Sequence, residues 1–281
     1  MGLNYLNLGC GSRCHPEWIN VDSRSSAPGV LVHDLREGIP FADESFEVVY
    51  HSHLLEHFTR KQAARFIKDC FRVLKNGGII RIVVPDLEII VMQYLTALKE
   101  AKEGNIQAQQ NYDWIMLELY DQAVREASGG AMVEYLSQKT IPNEAYVLER
   151  FGEEARSIIN EHRARQTEKV NANLVLSSPL VSYKKLCSNL YWWLVRRVLG
   201  EARYFALQVG LFRSHGEVHQ WMYDRYSLAL LLQRSGFSNP IKKDAFHSSV
   251  PNWRVFCLDS DSIGRVYKPD SLYIEAFKAS K

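Results

Sequence analysis

Two stretches of the chain bring together residue types that can do chemistry. The first, "YLNLGCGSRCHPEWINVD" from Tyr5 to Asp22, sets Gly9 and Gly11 after an apolar run and closes on an acid. A glycine turn behind a strand can lay backbone N–H groups against a nucleotide, and a later acid can take ribose hydroxyls. The dinucleotide fingerprint asks for a third glycine, where Cys14 stands, and for an acid about 20 positions on; Asp22 follows Gly9 by only thirteen. Between Gly11 and Trp18 there is no room for the crossover helix whose N-terminus would hold a pyrophosphate. The turn therefore suits a nucleotide without one. The second stretch, "HSHLLEHF" from His51 to Phe58, gathers His51, His53, Glu56 and His57. A neutral imidazole can take a proton from an alcohol, and imidazole with carboxylate can hold a divalent cation.

These residues need elements to position them. Short runs rich in Val and Ile recur as "YLNL", "WINVD", "VLVHD", "FEVVY" and "IIRIVVPD", each bounded by Gly, Pro, Asp or Ser, which predicts buried parallel strands. Between the fourth and fifth, Thr59 should cap a helix whose apolar face is Ala63, Phe66, Ile67, Cys70, Phe71 and Leu74, with Gly77 ending it. Alternating strand and helix imply a parallel sheet. From Leu87 to about Phe212 the sequence turns charged and helix-favouring, which predicts a helical insertion. After it, "YDRYSLALLLQRSGF" reads as a helix capped by Asp224 and stopped at Gly236, followed by "NPIKKDAF" and a last strand "SLYIEAF".

In open parallel sheets ligands bind outside the carboxyl ends of the strands. His51 and His53 leave the fourth strand there, Asp86 leaves the fifth, and His215 and His219 lead back from the helical stretch. His53 and His219 are the expected bases.

With these motifs in order, "LNLGCG", Asp22, "HDL" at His33 to Leu35, "FEVVYHSHLLEHF" and "RVLKNGGIIRIVVPD", the chain resembles the class I S-adenosylmethionine-dependent methyltransferases. More narrowly it resembles the type 11 branch, in a subgroup with a shortened first crossover associated with glycan or natural-product biosynthesis. The resemblance covers residues 4–91 and, with "HQWMYDRYSLALLL" and "YKPDSLYIEAF", roughly 217–277. It implies an α/β, Rossmann-like seven-stranded methyltransferase sheet with a large helical insertion after the fifth strand, divided as 1–86 and 213–281 for the cofactor domain and 87–212 for the insertion or lid. It implies S-adenosyl-L-methionine as cofactor, a ligand with no phosphate to neutralise. Gly9, Cys10 and Gly11 would face its amino-acid and ribose portion, Asp22 its ribose hydroxyls, and Asp34 with Leu35 its adenine; Asn7 and His51 complete the expected cofactor-binding set.

Other readings of the same residues carry less. "HLLEH" matches the H-x-x-E-H pattern of inverted zinc peptidases, but it follows a strand and lies outside any long helix. Some ubiquinone-pathway O-methyltransferases of the type 11 branch hold a divalent metal on an E-x-x-E-H segment after this strand. Here His53 replaces the first glutamate while Glu56 and His57 match, so the candidate metal ligands are His53, Glu56 and His57; the favoured reading has no metal, with Glu56 and His57 packing or capping the loop beside the cofactor. Cys10 and Cys14 have the spacing that opens a radical iron–sulfur motif, but Glu17 stands where its third cysteine belongs. Cys10 and Cys14 beside His15 could take zinc, but the short loop offers no other ligand nearby.

Composition narrows the partners. A net charge of +2 spread over interspersed signs gives no reason to expect nucleic acid. Five scattered cysteines suggest a reducing compartment, and no basic stretch followed by an apolar run opens the chain, so a cytoplasmic location is expected. The segment 182–203, with Trp192, Trp193, Lys184, Lys185, Arg196, Arg197 and Arg203, offers rings and cations for peripheral contact with a bilayer, or else tryptophans for a cap-helix core. The expected reaction is methyl transfer to a hydroxyl of a sugar, a glycan or a small biosynthetic intermediate. N- or C-methylation and non-catalytic binding of the cofactor stay open.

Overall fold

The computed structural model describes residues 4–24, 27–171 and 179–279, with side chains outside 166–187. Its centre is a seven-stranded sheet in the order β3-β2-β1-β4-β5-β7-β6. The strands are β1 Tyr5–Leu8, β2 Trp18–Asp22, β3 Val30–Val32, β4 Phe46–Ser52, β5 Leu74–Pro85, β6 Ser238–Lys243 and β7 Ser271–Phe277. β1 to β5 run parallel, and β7 lies antiparallel between β5 and β6. The order reverses between β1 and β4, where an open sheet offers its ligand crevice.

Helix α1, Arg60–Val73, starts as its sequence demands: the Thr59 hydroxyl accepts from Gln62 N–H while the Gln62 side chain reaches back to Thr59 N–H. It ends earlier than the glycine signal suggests. Leu74 is already extended and pairs with Phe46 of β4, so strand pairing takes over before Gly77, which lies inside β5 with φ of +79°. The later helix α9, Arg225–Arg234, has its own capping box on Asp224 and Ser227, and Gly236 follows with φ of +102°.

The two faces of the sheet are covered differently. α1 and α9 cover one, where Leu6, Leu8, Val49, Ile80, Ile82 and Ile274 meet Phe66, Ile67, Leu228 and Leu232. Gly9–Glu17 and Ser23–Gly29 join β1, β2 and β3 without helices among the described residues, so the opposite face needs another cover. The long β6–β7 connection supplies it: Ala245, Val250, Trp253, Phe256 and Leu258 pack on Tyr5, Trp18, Val48, Tyr50 and Tyr273. Arg81 of β5 clamps this connection. Its guanidinium, fully buried, lies 2.7 Å from Asp259 and 2.8 Å from Glu275, donates to Asp244 and His247 carbonyls, and sits 4.4 Å from the Trp253 ring.

Between β5 and α9 the chain is largely helical: α2 Leu87–Lys102, α3 Ile106–Met116, a π turn Leu117–Asp121 running into α4 Gln122–Val124, α5 Gly130–Leu136, α6 Glu144–Asn171, α7 Pro179–Leu199 and α8 Glu201–Ser214. This stretch has its own core of Trp114, Met132, Leu136, Ile141, Val147, Ala155 and Ile159. α6 bends at Gly152, whose φ of +61° breaks the helix. A β-carbon there would come within 2.5 Å of Pro269 and 2.8 Å of the Tyr267 carbonyl. Glycine thus lets α6 touch the β6–β7 connection and puts Glu154 at the sheet edge. α7 and α8 pack on each other. Trp193 is 57% exposed, while Trp192 is half-buried with its ring 6.2 Å from that of Tyr204 in α8; Lys184 and Lys185 lie outside the described side chains.

The clamp gives a stability prediction. Arg81→Met leaves Asp259 and Glu275 buried without their cation and should cost about 3–5 kcal/mol in urea unfolding followed by tryptophan fluorescence. A loss below about 1 kcal/mol would show that the connection is held by apolar packing alone.

Candidate active site

The glycine turn is built from backbone bonds. Gly9 N–H and Cys10 N–H both donate to the Val21 carbonyl, at 2.8 and 3.2 Å, which ties the turn to β2. Gly11 N–H donates to Asp22 Oδ2 at 2.8 Å. Asn7, buried at the end of β1, donates to the Arg13 carbonyl and to Asn20 Oδ1 and so holds the loop from inside. Gly9 has φ of +65°, and a β-carbon there would meet Leu54 at 2.8 Å. The backbone conformation favours glycine, and any β-carbon would displace the Leu54 side chain.

Gly9 lies on the wall between two cavities. One, of about 360 Å³, is lined by Gly9, Asp22, Asp34, Leu35, His57 and Gln220. It combines ends of β2, β3 and β4, and so can hold a nucleoside. Asp34 is engaged by Arg36 through Nε and Nη2, at 2.9 and 2.6 Å, and that ion pair holds its carboxyl below the usual carboxylate range. The second, of about 420 Å³, takes in Asn7, Cys10, Gly11, Arg13, His53 and Lys268. A third, of about 300 Å³, is lined by His53, His57, Arg125, Glu217, His219 and Lys268. It shares His57 with the first and His53 and Lys268 with the second. A larger cavity of about 600 Å³ adjoins the first through Leu35 and Gln62, but neither Gly9 nor Asp22 is in its wall.

The segment after β4 sets the chemistry. His53 adopts φ of +50°, a left-handed conformation uncommon outside glycine. Its N–H donates to the Val83 carbonyl, Nε2 meets Ser271 Oγ at 2.8 Å, and Nδ1 lies 3.2 Å from Glu56 Oε1. His219 arrives from the far side of the helical stretch. Its N–H donates to the Gln122 carbonyl, and the next two N–H groups, of Gln220 and Trp221, both donate to the Glu56 carbonyl. The return of the chain is thereby stitched to the segment after β4.

Burial governs these groups. It pushes His219 down to about 3 and lowers His53 as well, below the near-neutral value that the sequence suggests for a base. Both are neutral proton acceptors at physiological pH. For Glu56 burial alone acts upward, but the contact with His53 and the charges of His57 and His219 hold it well below the usual range. His51 does not reach the cleft: fully buried, it packs 5.3 Å from the Phe66 ring of α1, and burial lowers it to about 4. His57, by contrast, lines both the first and the third cavity. Of the candidate metal ligands, Glu56 and His57 lie with His219, ligand atoms all within 4.8 Å of one another, while His53 Nδ1 stands 3.2 Å from Glu56. Cys10 and Cys14 lie 3.5 Å apart, and burial, then the Cys14 contact, pushes the Cys10 thiol up to about 12. The Cys10 thiol stays protonated.

Several lining residues carry no motif. Lys268 in "VYKPD" pairs with Glu154 at 2.8 Å, joining the β6–β7 connection to α6. Arg13 lies 3.3 Å over the Tyr267 ring, and Arg125 bridges Asp121 and Glu217 at 2.7 and 3.2 Å. Each depends on distant parts of the chain meeting, which leaves no local spacing to read.

Residues 14–82 match a family model described as a methyltransferase domain, from just past the glycine turn into β5. With that match, residues 14–82 carry a methyltransferase domain of the type 11 kind, a domain class whose cofactor is S-adenosyl-L-methionine. Among solved structures it is similar to the protein bound to the Trm112 methyltransferase activator of Haloferax volcanii, at 9% identity and a TM-score of 0.39 over 99% of this chain and 83% of the other. It is also similar to an S-adenosylmethionine-dependent methyltransferase of Thermotoga maritima, at 12% identity and a TM-score of 0.36 over 99% and 83%. No curated protein matches the chain in sequence.

Asp22 gives the binding prediction. Asp22→Ala should weaken S-adenosylhomocysteine by about 1–3 kcal/mol in calorimetry, through loss of charge-assisted hydrogen bonds to the ribose and of its hold on Gly11. An unchanged affinity removes Asp22 from the site.

Proposed function

We propose that the enzyme methylates a hydroxyl of a sugar or of a small polyhydroxylated biosynthetic intermediate. The observation that carries this is the third cavity. It adjoins the nucleoside cavity through His57, and it offers Gln122, Arg125, Glu217 and Lys268 as hydrogen-bonding groups beside neutral imidazoles. Such a wall suits an acceptor rich in hydroxyls.

In this reading Asp22 takes the ribose, Leu35 and the Asp34 backbone lie at the adenine, and Gly9 to Gly11 face the amino-acid portion. The acceptor oxygen attacks the methyl carbon in line with the sulfonium sulfur; the carbon–sulfur bond breaks and S-adenosylhomocysteine remains. The acceptor proton passes to one imidazole, His53 or His219. The helical stretch 87–212 acts as a lid: Gln122, Arg125 and Glu154 come from it, and closure around the acceptor excludes water.

The same reading places the enzyme in the cytoplasm, which the free thiols of Cys10, Cys14, Cys70 and Cys257 support. Among the described residues no helix is long and apolar enough to cross a membrane. Exposed Leu190, Trp193, Leu194 and Val198 with Arg196 and Arg197 support a peripheral contact of 182–203 with a bilayer, as for an acceptor carried on a lipid.

Labelled S-adenosylmethionine offered with panels of sugars, phenols and amines tests the reaction. Label should move to hydroxyl acceptors; transfer confined to amines or carbon would replace the reading. On the true acceptor, at least one of His53→Ala and His219→Ala should lower turnover ~10²- to 10⁴-fold while S-adenosylhomocysteine affinity stays within about twofold. Full turnover in both would leave alignment alone as the source of rate.

A further inference from the structure

Among the described residues the Glu56 carboxylate stands out as a buried charge without hydrogen bonds. It is fully buried, and neither oxygen has a hydrogen-bond partner; His53 Nδ1 lies 3.2 Å from Oε1 without the alignment of a hydrogen bond. His57 Nδ1 beside it is buried and unpartnered as well. His219 Nε2 stands 4.0 Å from Oε1, and the His57 and His219 rings are 4.8 Å apart at 80°. A buried carboxylate with empty lone pairs carries a large desolvation cost unless something neutralises it.

Backbone bonds fix the elements that carry these side chains. The Glu56 carbonyl takes the Gln220 and Trp221 N–H groups, at 2.7 and 3.2 Å, and His219 N–H is bound at Gln122. The side chains converge without bonding one another, as a prepared ligand set does.

We propose that Glu56, His57 and His219 hold one divalent first-row transition ion, with zinc the best match. Two imidazoles and a carboxylate suit zinc, cobalt or manganese better than the all-oxygen preference of magnesium or calcium. Three protein ligands leave a position open, the arrangement of a catalytic site. His57 and His219 line the third cavity, so the open position faces the acceptor. His53, against Glu56, orients the carboxylate from outside the ligand set. The inference rests on the reading of that cavity as the acceptor site. It makes His219 a ligand and leaves His53 as the proton acceptor; when bound, the ion would polarise an acceptor hydroxyl.

Untagged protein, stripped with chelator and dialysed against zinc chloride, is analysed for metal, and cobalt chloride titration is followed by visible absorption. The expected result is one zinc per chain and a cobalt d–d band, with affinity falling at least about tenfold in both Glu56→Gln and His219→Ala. Cys14→Ser should keep the ion, which separates this site from the thiols near His15. S-adenosylhomocysteine affinity, measured on the same samples, reports folding and the cofactor reading independently. Wild-type protein that binds S-adenosylhomocysteine but no zinc overturns the ion alone. So does a folded Glu56→Gln that keeps wild-type zinc affinity, or a Cys14→Ser that loses it. Failure of S-adenosylhomocysteine to bind wild type would overturn the functional reading instead.

Discussion

The Arg81 clamp is the interaction on which the rest of the structure depends. Shortening the first two crossovers removes the helices that would cover one face of the sheet, and that face carries Tyr5, Trp18, Val48 and Tyr50. The β6–β7 connection must cross it, and a long connection with only one short 3-10 turn, Trp253–Phe256, needs an anchor. Arg81 provides one from the middle of β5, meeting Asp259 and Glu275 and reaching carbonyls of Asp244 and His247. A buried cation between two carboxylates adds little to stability against a well-packed apolar core. Its value here is positional, because several parts of one loop have to meet the same planar group.

What the clamp positions is the far wall of the site. Downstream of Asp259 the connection delivers Tyr267, where Arg13 stacks, and Lys268, where Glu154 pairs. Gly152 lets α6 come close enough to complete that pairing. On the other side, the Glu56 carbonyl stitches residues 220 and 221 to the end of β4. The cleft thus has a fixed floor, the glycine turn and strand ends, and walls from parts of the chain far from it in sequence.

That division also explains how much could be read from the sequence. Strands, sheet class, the Thr59 and Asp224 caps and the glycine turn follow local periodicity and spacing, so each was legible. The end of α1 was not, because pairing of Leu74 with Phe46 overrides the stop at Gly77. His51 alternates onto the α1 face of β4, which the motif "HSHLLEH" does not distinguish from the cleft side. His219 joining Glu56 and His57, Lys268 meeting Glu154, and the Arg81 clamp are contacts across long sequence separations. No single segment encodes them. The lowered pKa values of His53 and His219 come from burial that only the folded chain creates.

The central claim is that the adenosyl ligand lies along the carboxyl edge of the sheet, from Asp34 past Gly9 toward the histidines. A crystal structure with S-adenosylhomocysteine measures this directly. The account predicts ribose hydroxyls within about 3.2 Å of the Asp22 carboxylate, adenine beside Leu35, and sulfur turned toward His53, His57 and His219. Ligand seated in the cavity between α1 and residues 33–40, with its ribose away from Asp22, would contradict it.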